Sequence, residues 1–82
     1  MSQQSITLPS QLAAALRDQR ARLGLTQASA GASVGLLAKT ISALESTPER
    51  SSVGSLLKLL AALDLQLVLE PRGQRSDTGS EW

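Results

Sequence analysis

Lys39, Thr40 and Ser42, with Ala38 just before them, form the most suggestive group of side chains in this sequence. An ammonium at position 39 can donate to paired acceptors such as guanine O6 and N7. The hydroxyls of Thr40 and Ser42 can reach base edges or phosphate oxygens, and the methyl group of Ala38 can touch a thymine methyl. Upstream, Gln27 opens another helix, where backbone N–H groups already favour an anion. Arg17 and Arg22 are further cations, open to a phosphate or simply to water. None of this is catalytic chemistry. With no cysteine and no histidine, disulfides, Cys/His metal sites and Cys–His or Ser–His–Asp catalysis are excluded within the chain. No expected helix carries two carboxylates at helical spacing, and phosphate-cradling glycine loops are missing too. We therefore expect no catalytic residue, no metal, no cofactor and no enzyme.

The elements that must hold these residues are legible from spacing. Ser10 follows Pro9 and reads as the N-cap of a first helix. Leu12, Ala13, Leu16 and Leu23 share its apolar face, Arg17 and Arg22 lie away from it, and Gly24 stops it. Thr26 caps a second helix, about residues 27 to 33, in which Gly31 costs about 1 kcal/mol unless close packing requires it. Gly35 breaks the chain, and GLLAKTISALE supplies a third helix, about 37 to 45. Its inner face is Leu37, Ile41 and Leu44. Ala38, Lys39 and Ser42 point outward, with Thr40 beside them. Two short helices joined by a tight glycine turn form the helix-turn-helix pattern. A helix entering a major groove about 12 Å wide cannot be bulky outside, which accounts for the flat face.

A loop with Pro48 leads to Ser52, which caps VGSLLKLLAALD. Leu56, Leu57, Leu59, Leu60 and Leu63 are too many for one stripe, so this helix needs more than one neighbour. LQLVLEP then alternates Leu65, Leu67 and Leu69 against Gln66, Val68 and Glu70, a strand signal ended by proline. A lone strand leaves its N–H and C=O groups unpaired, so Leu65, Gln66, Leu67, Val68 and Leu69 are expected to pair with a second chain. The fold expected is all-α with one C-terminal strand. Residues 1–9 read as a flexible arm, 10–70 as the helix-turn-helix and dimerisation domain, and 71–82 as a disordered tail.

Composition sets the limits. Eighty-two residues make one small domain. Trp82 is the sole aromatic although 41% of residues are hydrophobic, so the core is Leu, Ile, Val and Ala. The net charge of +1 is a weak argument for nucleic acid. Its distribution says more, since Arg17, Arg20, Arg22 and Lys39 face only Asp18 before position 45. No apolar run approaches the roughly 18 residues of a membrane span, and the N-terminus lacks the order of a signal peptide. A cytoplasmic protein without a membrane partner is expected.

LRDQRARLGLTQ followed by VGLLAKTISALE resembles the Cro/C1-type (Xre) helix-turn-helix family over about residues 10 to 63. The strand after the last helix and the final Glu-Trp resemble the HipB-type antitoxins within it. The resemblance implies a homodimeric repressor of its own operon whose C-terminal strands pair across the two-fold axis. It also implies a HipA-like serine/threonine kinase toxin, bound and held inactive, with Trp82 as a toxin contact and operator DNA as the second partner. In the wider family, the positions of Arg20 and Glu45 form an internal ion pair. The chain departs from the usual pattern at Ser29-Ala30-Gly31 and at Leu37, where a polar residue is usual. A generic Cro/C1-type repressor with no toxin is the alternative.

Overall fold

The computed structural model describes residues 4–72 of the chain. In order, they form α1 (Pro9–Arg22), α2 (Gln27–Ala32), α3 (Ala38–Leu44), a one-turn 3-10 helix (Pro48–Arg50) and α4 (Val53–Ala62). Leu16 of α1, Ile41 and Leu44 of α3, and Leu59 and Leu63 at the end of α4 are fully buried. Ala30 and Leu60 complete this core. No aromatic ring is needed because the helices are short and approach through small and branched aliphatic side chains.

Three of the helices stop in the same way. Beyond α1, Leu25 N donates to Arg20 O (3.1 Å) and Gly24 N to Ala21 O (3.0 Å). Beyond α2, Leu36 N donates to Gly31 O (2.8 Å), and beyond α4, Leu65 N donates to Leu60 O (2.8 Å). Each is the six-to-one bond of a Schellman cap, with the residue before it left-handed: Gly24 (φ 70°), Gly35 (φ 74°) and Asp64 (φ 59°). The residues that follow, Leu25, Leu36 and Leu65, fold back onto the core. Two of these stops are visible as glycines. The third is hidden under an aspartate, which tolerates the left-handed region at some cost. Asp64→Gly should therefore stabilise the fold by roughly 0.5–1 kcal/mol, read as a rise in the thermal midpoint; a fall would mean that the carboxylate itself holds the cap.

The helix starts match the expectation at α2 and α4 and differ at α1. Thr26 Oγ1 accepts from Ser29 N (3.0 Å) and Ser29 Oγ accepts from Thr26 N (2.9 Å), a reciprocal cap on α2. Ser52 Oγ likewise accepts from Ser55 N (3.0 Å) on α4. Ser10, however, is not an N-cap. Pro9 occupies the first helical position and Leu8 is the cap residue, since proline has no N–H to leave unsatisfied and its φ is already helical. Gln11 Oε1 instead reaches back to the main chain just before the helix, accepting from Thr7 N (2.7 Å) and Leu8 N (3.1 Å).

Three further expectations differ from the structure. Leu23 and Leu37 are not core residues; both are exposed. Leu23 is the C-cap of α1 and Leu37 the N-cap of α3, so neither follows the helical spacing that turns its neighbours inward. Residues 65–70 form no strand, and no strand exists among the described residues. A strand requires a ladder partner, and the described chain offers none. Leu65 is also held inward by the α4 cap, which removes it from the alternation. Leu67, Val68 and Leu69 are exposed. Trp82 and the rest of 73–82 lie outside the described residues.

Candidate nucleic-acid interface

The interface builds outward from Glu45, which follows α3 and is only 3% exposed. A carboxylate buried to that degree must be paired. Arg20 of α1 meets it with two bonds, Nε to Oε2 at 2.6 Å and Nη2 to Oε1 at 3.0 Å. The remaining Arg20 nitrogen donates to Leu25 O at 3.0 Å, so one guanidinium ties α1, the α1–α2 turn and α3 together. The bonds to Glu45 hold the Arg20 pKa above its ordinary value, against the opposing effect of desolvation. The pair is internal, as the resemblance implied.

Gln27 is half-buried, and its Nε2 donates to Glu45 Oε1 at 3.2 Å. Only the second Nε2 hydrogen is then left for an anion. Arg17 is similarly committed, because Nη1 donates to the Glu45 carbonyl oxygen and caps the C-terminus of α3. Neither the phosphate nor the water role expected for Arg17 included this bond. Arg22 is exposed. Gln19, which the sequence did not mark, donates from Nε2 to Leu63 O (3.0 Å), tying α1 to the end of α4. Its signal was only its register, one residue before Arg20.

Against this clamp, α3 is packed by Ile41 and Leu44 and by α2. Gly31 sets the closeness, since a methyl group there would run into the Leu36 carbonyl oxygen and sit 3.4 Å from Ile41 Cγ1. Close packing explains the glycine. On the other side, Ala38, Lys39 and Ser42 are exposed and Thr40 is half-buried. The Lys39 ammonium has no hydrogen-bond or ion-pair partner among the described residues. The result is a short, low-relief ridge with one free cation, held rigidly by its inner face. No group of three metal-ligating side chains occurs among the described residues, and no described helix is long and apolar enough to cross a membrane.

No protein-family model matches the sequence. Over 69 residues, 84% of the chain, it is 36% identical to antitoxin HipB of Escherichia coli O6:H1 strain CFT073, covering 73% of that protein. It is 35% identical to antitoxin HipB of Escherichia coli K12 over the same length, covering 78% of it. The chain belongs to the HipB antitoxin family. Solved HipB structures agree in three dimensions. A chain of a HipA–HipB–O2–O3 complex superposes with a TM-score of 0.81 at 31% identity, over 85% of this chain and 99% of that one. A HipB–O4 20mer complex gives 0.80 at 31% identity with the same coverage.

Proposed function

We propose that the chain is a sequence-specific DNA-binding autorepressor and antitoxin, not an enzyme, which acts in the cytoplasm and neutralises a HipA-like serine/threonine kinase. The observation that carries the reading is the clamped α3 with its free outer face, in a chain of the HipB family. Membership of that family favours it over a repressor with no toxin. Ala38, Lys39, Thr40 and Ser42 face the bases, Gln27 uses its remaining hydrogen on a phosphate, and Arg22 adds a cation beside the backbone. Arg17 acts through the end of α3 as well as by its charge.

Lys39→Ala should cost roughly 1–3 kcal/mol of operator affinity with an unchanged melting curve. A gel shift on the chain's own promoter, with and without a HipA-like kinase, tests both halves of the reading. Normal affinity in the folded variant would remove α3 from the groove.

The domain responsible is residues 10–70, and we read it as a homodimer. Val53, Leu57 and Ala61 leave an apolar stripe open on α4, and Leu67, Val68 and Leu69 are exposed as well, Leu69 to 89%. A second copy covers both surfaces in one isologous contact, with Gln66 to Leu69 pairing antiparallel across the axis. Val68→Pro should remove an N–H from that ladder and weaken the dimer. Sedimentation that finds the same dimer constant for the variant would exclude the strand pairing. Trp82, at the end of the 71–82 tail, is read as a separate anchor on the kinase, in keeping with the resemblance and with the preference of such anchors for tryptophan.

A further inference from the structure

The tip of α3 carries a leucine that the fold does not use. Leu37 is the N-cap of α3, with extended backbone (φ −79°, ψ 154°) and no side-chain capping bond. Its side chain is 67% exposed and lies outside the core cluster. Serine, threonine, asparagine or aspartate at this position would satisfy an orphan helix donor, as Thr26 and Ser52 do for α2 and α4. Position 37 therefore forgoes a cap and exposes a large apolar group, two local penalties that no contact among the described residues offsets. Sites that break local rules in this way are where a ligand contact is to be sought.

Position decides which ligand. Leu37 is followed directly by Ala38 and Lys39, both exposed, so the leucine and alanine make an apolar tip beside the free cation. No acidic residue lies within α3. The one apolar group that a major-groove edge presents is the thymine C5-methyl. We propose that Leu37 is a specificity-determining residue which packs on a thymine C5-methyl group next to the base pair reached by Lys39. The proposal rests on the DNA-binding reading above and adds a base preference to it. Cytosine, lacking the methyl group, is disfavoured at that position.

The test uses the full chain and a duplex that it enriches from a random-sequence pool. Each thymine is replaced in turn by deoxyuridine, which removes only the methyl group, and affinities are measured by fluorescence anisotropy. Wild type should lose about fourfold at one thymine per half-site, the value of one buried methyl, while Leu37→Ala should show no loss there. Equal deoxyuridine penalties in both proteins, or no thymine preference beside the Lys39 position, would overturn the proposal. Leu37→Ser guards against a folding artefact, because its hydroxyl can cap α3. Its thermal midpoint should be equal or higher while the discrimination disappears, and a lower midpoint would show that the fold does use the leucine. If Leu37→Ala weakens binding of the kinase and leaves the deoxyuridine effect intact, the tip belongs to the protein partner and the proposal falls. Failure to enrich any duplex would instead strike the DNA-binding reading itself, and this inference with it.

Discussion

Arg20→Met is expected to destabilise the domain by roughly 3 kcal/mol, the lower end for removing one member of a buried ion pair. The value sits at that end because Arg20 is itself 21% exposed, so water can partly replace it. What remains is a Glu45 carboxylate, 3% exposed, with Gln27 Nε2 as its one side-chain donor. The midpoint of urea unfolding should fall while the slope stays constant. The double variant Arg20→Met, Glu45→Met should recover most of the lost stability, because no charge is then buried unpaired. It should not recover operator binding. Gln27 loses its acceptor, and only the Arg17 bond to the main-chain carbonyl at position 45 still ties the end of α3 to α1 by a side chain. A stable double variant that binds DNA normally would reduce the clamp to a stability element.

The second large effect is Gly31→Ala. In an ordinary helix this change gains about 1 kcal/mol. Here the new methyl group meets the Leu36 carbonyl and crowds Ile41, and the Leu36 N to Gly31 O bond that closes the turn stands in the way of relaxation. A net cost of about 2 kcal/mol is expected from overpacking against backbone, or roughly 10 °C in the thermal midpoint of a domain this size. The sign is decisive. A higher midpoint in the alanine variant would mean that α2 and α3 are not held together through this contact, and that the ridge is not fixed by the turn.

What could be read from the sequence follows from how local each cause is. Thr26, Ser52, Gly24 and Gly35 act within a few residues of themselves, so caps and stops were legible from type and position. Ile41 and Leu44 of α3 were legible as inward from period, whereas the crowded leucines of α4 singled out no one face. Leu23 and Leu37 defeated the periodic reading because each sits one residue beyond its helix, where side-chain direction no longer follows the 3.6-residue repeat. Ser10 was misread because Pro9 could begin the helix by itself. The second role of Gln27 and the capping role of Arg17 depend on Glu45, 18 and 28 residues away, and no local pattern encodes that meeting. The segment after α4 has a clear alternation in sequence, but pairing is not a local property, and no ladder partner for it lies among the described residues.

One division within α3 has a bearing on inheritance. Ile41, Leu44 and the adjoining Glu45 are buried, while Ala38, Lys39 and Ser42 are exposed, and their side chains bond to nothing else among the described residues. Mutation at the second set leaves the first untouched. After a gene duplication, one copy could acquire a new chromosomal address through these positions while its folding stayed as before. Sister modules could then share a genome without silencing each other's promoters, provided that they diverged on this face first.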